Sequence, residues 1–319
     1  FAIAKQISSE NYNKEDIEIG EERMKYQPKD MLVGVTNHCN HKCIFCAHQI
    51  MNRPYGEIDP VLLKRIMQEA YDMGVRRVGL YTIGEMFLCK EIVTHIKNAK
   101  EIGFTYIYGD TNGALATKER MREVLLAGLN SIKFSINAGT RESYRIVHGK
   151  DQFETVIQNV KDCYSLKQET GLNFKLMVSV VVTTIIEDEV SIIKEMLGPY
   201  VDEFMIHDAS DTLQKYSNEA GERKKSIYKD QSRKKKDDYI CSMVFDRIHI
   251  THNGFLTACC QDFNDDLLIA DLKKVSLYDA WNGEKFKRFR EMHLTKKLEG
   301  TLCHGCLNGI YQPYEPLAP

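Results

Sequence analysis

Ten cysteines in a chain of 319 residues are the groups most able to do chemistry, and their spacing says which kind. The first set reads Thr36-Asn37-His38-Cys39-Asn40-His41-Lys42-Cys43-Ile44-Phe45-Cys46, with three and then two residues between the cysteines. Three thiolates so placed on one loop can each take one iron of a cubane. The fourth iron then has no protein ligand, and a substrate or cofactor can chelate it. Zinc is the alternative here: a structural zinc wants four ligands, and His38, His41 or His48 could supply the fourth.

The second set is Cys241, Cys259, Cys260 and Cys303-His304-Gly305-Cys306. A Cys-x2-Cys pair with two upstream cysteines makes a complete four-thiolate site, and its spacing suits a zinc ribbon as well as an iron–sulfur cluster. A disulfide framework explains neither set, because such scaffolds belong to short secreted domains. Cys89 and Cys163 read as buried structural residues. Cys260 abuts a ligand position and reads as a packing residue or as the ligand in place of Cys259.

These groups need elements to hold them. Apolar, β-branched runs occur at 31–36, 77–82, 105–111, 131–137, 173–183 and 201–207, and helical spacing fills 59–72, 90–102, 117–127, 152–168 and 186–196. Such alternation implies parallel strands with helical crossovers. Six units fall short of the eight that close a TIM barrel, so the expected fold is α/β, a partial (β/α)6 TIM-like barrel. The first cysteine loop follows the first strand, where barrels keep their active sites.

Residues 211–238 are polar and charged, with Glu222-Arg223-Lys224-Lys225 and Arg233-Lys234-Lys235-Lys236. A solvated linker is the better reading; a basic clamp for an anionic substrate is the weaker one. Beyond it, 247–251 and 255–259 flank His252-Asn253-Gly254, and Asn-Gly between short apolar runs signals a hairpin. A short helix around 276–294 follows and holds Trp281, the only tryptophan. The expected division is an N-terminal extension (1–30), the barrel (31–210), the linker (211–238) and a small cysteine-rich module (239–319).

Bulk properties narrow the partners. Hydrophobic residues make up 43% and charged residues 28%, and the net charge is −2, so no global basic field points to nucleic acid. No apolar run approaches the roughly 18–20 residues of a membrane span. No secretory pattern opens the sequence, so a cytoplasmic location is expected. The chain starts on Phe1 rather than Met, and some leading residues are expected to precede it.

The Cys-x3-Cys-x2-Cys loop after the first strand, with Phe45 before the last cysteine, resembles the signature of the radical S-adenosylmethionine (SAM) superfamily. The resemblance implies that Cys39, Cys43 and Cys46 bind a [4Fe–4S] cluster and that SAM chelates its open iron. Further motifs match along the barrel. Thr82-Ile83-Gly84-Glu85-Met86 is similar to the family's Gly-Gly-Glu motif, with Ile83 in place of the first glycine. There Gly84 would allow close backbone approach, and Glu85 would face the SAM ammonium. Thr111-Asn112-Gly113 is similar to the family's Thr-Asn-Gly turn. Ser135 and Asn137, two apart on the fourth strand, would share a face toward the SAM ribose.

The C-terminal module resembles the twitch form of the SPASM family, in its Cys…Gly-x4-Cys…Cys-x2-Cys order and its Cys259-Cys260-Gln261-Asp262 run. That implies an auxiliary [4Fe–4S] cluster on Cys241, Cys259, Cys303 and Cys306. Similarity to radical SAM epimerases adds a third reading of Cys260, a hydrogen-atom donor.

The expected activity is reductive cleavage of SAM to a 5′-deoxyadenosyl radical that takes a hydrogen atom from a small carbohydrate-like or aminocyclitol substrate. Oxidation of a secondary alcohol or epimerisation would follow, and the twitch spacing leans to the dehydrogenase. A SPASM-type maturase acting on a peptide is the alternative, and a non-catalytic zinc or electron-transfer protein the remote one. An external one-electron donor such as flavodoxin or ferredoxin is expected.

Overall fold

The computed structural model describes residues 27–209, 240–308 and 317. The charged stretch 211–238 and residues 1–26 of the N-terminal extension lie outside the described residues.

Six strands, β1 (Asp30–Val33), β2 (Arg77–Gly79), β3 (Tyr106–Thr111), β4 (Ser131–Ser135), β5 (Lys175–Val182) and β6 (Glu203–Asp208), stand side by side in chain order and run parallel. The crossover helices are α1 (Pro60–Asp72), α2 (Ile92–Ile102), α3 (Lys118–Ala127), α4 (Arg141–His148), α5 (Phe153–Thr170) and α6 (Val190–Leu197). Local chemistry starts them. Asp59 caps α1 ahead of Pro60, and Thr117 caps α3. Thr140 and Ser143 form a capping box on α4, the helix that periodicity did not anticipate.

Strand β3 shows how the sheet is sided. Ile107, Gly109 and Thr111 turn to the helices and are buried, while Tyr106, Tyr108 and Asp110 turn to the other face and are only half buried. Met31, Val78, Ile107, Ile132, Phe134 and Val178 from the strands join Leu63, Ile66, Ile96, Met121 and Val160 from the helices in one core. The opposite face is therefore free to line a polar lumen.

The C-terminal module adds α7 (Met243–Asp246), β7 (Arg247–Ile250), β8 (Phe255–Thr257), β9 (Leu268–Asp271), α8 (Leu277–Asn282), α9 (Glu284–Leu294) and α10 (Leu302–Asn308). Strand β7 pairs in parallel with β1, Asp30 opposite Arg247 through Val33 opposite Ile250. It thus extends the barrel sheet to nine strands, in the order β6-β5-β4-β3-β2-β1-β7-β8-β9. The Asn-Gly hairpin forms as expected, β7 against β8, with Gly254 in the left-handed region at φ +83°. The expected helix over 276–294 divides at Gly283 into α8 and α9. Arg290 explains their packing: Nε donates to Val244 O and Nη1 to Trp281 O, each at 2.8 Å, and its guanidinium lies over Phe286 at 3.8 Å. Among the described residues no helix is long and apolar enough to cross a membrane.

Candidate active site

The first cysteine loop leaves β1 and is clamped from two sides. From below, Glu85 N donates to His38 O at 2.8 Å. A Cβ on Gly84 would sit 2.4 Å from Thr36 O, so only glycine lets the two backbones approach this closely. From the side, the end of α4 accepts the loop's backbone: Lys42 N donates to His148 O at 3.0 Å and Ile44 N to Val147 O at 2.9 Å. Helix-terminal carbonyls need such partners. Gly149, at φ +65°, turns the chain off α4, and a Cβ there would sit 2.9 Å from Lys42 O.

Cys39, Cys43 and Cys46 are half-buried and form no disulfide. Burial pushes Cys39 up to about 11, and Glu85 and Cys46 add to the rise. Burial also raises Cys43, and its two companions raise it further. Thiols that oppose each other's ionisation favour a cationic iron core that takes all three as thiolates. The donor set therefore fits a cubane with one open iron. Among the described residues no three Cys, His, Asp or Glu groups close on a single-ion site. A cubane asks instead for one thiolate per iron. The loop's histidines serve the chain: His48 Nε2 donates to Asn37 O at 2.8 Å, His41 Nε2 pairs with Tyr144 Oη at 3.0 Å, and His38 stacks on Tyr55.

Glu85 is buried, at 1% exposure. Its carboxylate accepts Thr111 Oγ1 at 2.7 Å, Asn112 N at 2.7 Å and Phe87 N at 3.1 Å. Burial pushes it up to about 7 against those three donors. Its visible work is to hold the end of β3 to the Gly84 turn. Asn112 Nδ2 donates to Asn40 Oδ1 at 2.7 Å and stands 4.0 Å from Cys39 Sγ, which places the β3 turn over the cysteine loop. Asn137 lies just past β4 and is fully buried. It accepts Val181 N at 2.7 Å and donates to Ser135 Oγ at 3.3 Å.

In the C-terminal module, Cys259 lies within electrostatic reach of Cys241. Cys303 and Cys306 stand three apart on α10 and so share one helix face. Cys260 pairs with Cys259, meets His249 and lies within electrostatic reach of Arg247 and Tyr81. Asp262 shapes the turn after these cysteines by accepting Thr257 Oγ1 at 2.6 Å, Asp266 N at 2.8 Å and Leu267 N at 3.1 Å. Arg53, from the segment after the first cysteine loop, pairs with Asp265 at 2.7 Å and Asp262 at 3.6 Å. Cys89 and Cys163 are buried, and burial pushes both up to about 12, as inert packing residues.

The inward faces of the strands line a cavity of about 100 Å³ among Asp30, Arg77, Tyr106, Lys175, Glu203 and Arg247, the first residues of their strands, so it lies at the amino end of the barrel and not at the end where the cysteine loop leaves β1. Tyr108 passes over Gly79 and donates to Asp30 Oδ2 at 2.9 Å, while Arg247 approaches the same oxygen at 3.2 Å. Lys133 pairs with Asp110 at 2.8 Å and lies over the Tyr81 ring at 5.3 Å. Spacing of cysteines did not reveal this lining. Its sequence signal is the two-residue alternation Tyr106, Tyr108, Asp110 in β3.

Comparison with known proteins agrees with this construction. Residues 33–196, more than half of the chain, match the radical SAM superfamily, and residues 241–307 match the SPASM iron–sulfur cluster-binding domain. A probable GTP 3′,8-cyclase of Saccharolobus islandicus (strain M.14.25 / Kamchatka #1) is 30% identical over 136 residues, 42% of this chain and 42% of that protein. This chain thus matches less than half the length of that relative. The S-adenosyl-L-methionine-dependent 2-deoxy-scyllo-inosamine dehydrogenase of Niallia circulans is 22% identical over 294 residues, 89% of this chain and 94% of that one. Among solved structures, BtrN in complex with AdoMet and 2-DOIA superposes with TM-score 0.59 at 19% identity, covering 88% of this chain and 92% of that one. Streptococcus suis SuiB bound to precursor peptide SuiA gives 0.69 at 15% identity, covering 94% and 77%. The chain belongs to the radical SAM superfamily and carries a C-terminal SPASM domain.

Proposed function

We propose that this protein is a radical SAM oxidoreductase that oxidises a secondary alcohol of a small carbohydrate-like or aminocyclitol substrate held in the barrel lumen. The observation that carries the reading is the resemblance, over 89% of this chain and 94% of that one, to a 2-deoxy-scyllo-inosamine dehydrogenase.

In this reading Cys39, Cys43 and Cys46 hold the SAM-binding cluster, with Gly84, Glu85, Asn112, Ser135 and Asn137 around the SAM. Cys241, Cys259, Cys303 and Cys306 hold an auxiliary cluster. When bound, SAM and its cluster would supply a 5′-deoxyadenosyl radical that takes one hydrogen atom, and the auxiliary cluster would supply an acceptor for the second electron. The chain's own part would be to orient the ring, and the hydroxyl proton would leave to solvent. A flavodoxin or ferredoxin would be the external electron donor.

A second reading, epimerisation, has its own support. Cys260, paired with Cys259, also meets His249 and lies within electrostatic reach of Arg247 and Tyr81. A thiol there could return a hydrogen atom to a carbon radical. One experiment separates the readings. The reconstituted protein is reduced anaerobically with SAM and a panel of aminocyclitols and sugars in deuterated water. Loss of two hydrogens with formation of 5′-deoxyadenosine marks oxidation, and deuterium gain without other mass change marks epimerisation. If no member of the panel raises 5′-deoxyadenosine above the substrate-free rate, the small-ring reading is wrong.

A further inference from the structure

His148 is the last residue of α4 and is 1% exposed. Its Nδ1 lies 3.5 Å from Cys43 Sγ. Its Nε2 lies 3.1 Å from the backbone nitrogen of Asn137, with geometry in which that N–H donates to the ring. A backbone N–H can only donate, so Nε2 carries no proton. Tyr144 stacks on the ring at 4.2 Å and 19°, and His41 meets it edge-on at 5.5 Å. Neither contact supplies a carboxylate that would favour an imidazolium. A neutral ring with a bare Nε2 carries its one proton on Nδ1, aimed at the sulfur.

We infer that His148 is the fixed hydrogen-bond donor to the Cys43 thiolate and sets the electron affinity of the SAM-binding cluster. The inference rests on the proposal that Cys39, Cys43 and Cys46 hold that cluster. A hydrogen bond to a ligating sulfur draws charge from it and stabilises the reduced cluster, which raises the reduction potential. The backbone of Asn137 fixes the tautomer, as the partner of the second ring nitrogen does at other ligand-histidine sites. Because Asn137 also accepts Val181 N and donates to Ser135, one hydrogen-bond chain runs from β5 through the strand end proposed to face SAM to the cluster sulfur. His148 is a positioning residue: it touches a cluster ligand and not the substrate.

The test measures the potential of the cluster whose reduced EPR signal changes on SAM addition, in wild type, His148→Phe and His148→Asn. Phe keeps the stack on Tyr144 and removes the donor. Asn places its amide N–H2 where Nδ1 was. The expected result is a more negative potential in H148F and recovery toward wild type in H148N, at equal iron content. Equal potentials in wild type and H148F would overturn the inference. Should H148F fail to bind iron, wild-type protein labelled with 15N in its histidine rings decides. A weak ring-nitrogen coupling to the reduced cluster that vanishes in H148N upholds the inference, and its absence in wild type overturns it. Absence of any SAM-responsive signal in wild type would instead sink the ligand assignment.

Discussion

The carboxylate of Glu85 accepts the backbone N–H of Asn112 at 2.7 Å, and so joins the segment after β2 to the end of β3. Burial raises this carboxyl from 4.5 to about 7. A raised acid holds its proton in the folded state after the unfolded chain has lost it. Stability contributed through Glu85 is therefore full below pH 4.5 and declines as pH rises toward about 7, by about 3 kcal/mol at the limit. Glu85→Gln removes this titration but leaves an amide N–H2 facing donors, which costs on the order of 1–3 kcal/mol. In the metal-free protein, the wild-type Tm should fall between about pH 5 and about pH 8 more than the E85Q Tm. Parallel Tm-versus-pH curves would show that the raised carboxyl is not the cause.

Arg53 is a buried bridge between the two halves of the site. Its side chain is 4% exposed and faces Asp262 and Asp265. Arg53→Met leaves two acidic groups without their cation, at a cost of about 3–5 kcal/mol. Thermal unfolding should report that loss. Charge neutralisation in the R53M/D262N/D265N variant should recover part of it, and no recovery would mean that Arg53 acts by packing.

Full occupancy of both cysteine sets corresponds to roughly eight irons per chain. Cys303→Ala with Cys306→Ala should remove about half of the iron and leave SAM cleavage by the other half. Replacing Cys39, Cys43 and Cys46 by Ala should abolish 5′-deoxyadenosine formation. A C303A/C306A variant with wild-type iron content, or zinc in that module of the native protein, would refute the auxiliary cluster.

Cys260→Ala discriminates between the two chemistries proposed for the lumen. With Cys259, which lies within electrostatic reach of Cys241, as the proposed ligand, iron content and SAM cleavage should persist. An oxidation product formed at near wild-type rate fits the dehydrogenase. Loss of inversion with continued SAM cleavage fits the epimerase. Loss of iron from this variant would make Cys260 the ligand.

Much of the barrel was legible because strand and helix differ in period. The runs around 105–111 and 131–137 became β3 and β4, and the helices at 59–72 and 117–127 shifted by a residue. The cysteine loops stood out because close spacing of like residues is a local feature of the sequence. Two things were not. Helix α4 has only eight residues, Arg141–His148, too short for its period to emerge, and its last residue reaches Cys43 across 105 positions of sequence. The seventh parallel strand was equally hidden. Arg247–Ile250 reads as one arm of a hairpin, and nothing local says that its other edge seeks β1.

That pairing of β7 with β1 has a consequence for ancestry. In an open parallel barrel the first strand would have a bare outer edge, with N–H and C=O groups in search of a partner. Here the C-terminal module covers that edge with the strand that runs into its cysteine hairpin. The module is therefore not a detachable ornament that a lineage can shed by a stop codon. A descendant without it would have to recruit another strand, or a helix, to shield β1 before the barrel could persist.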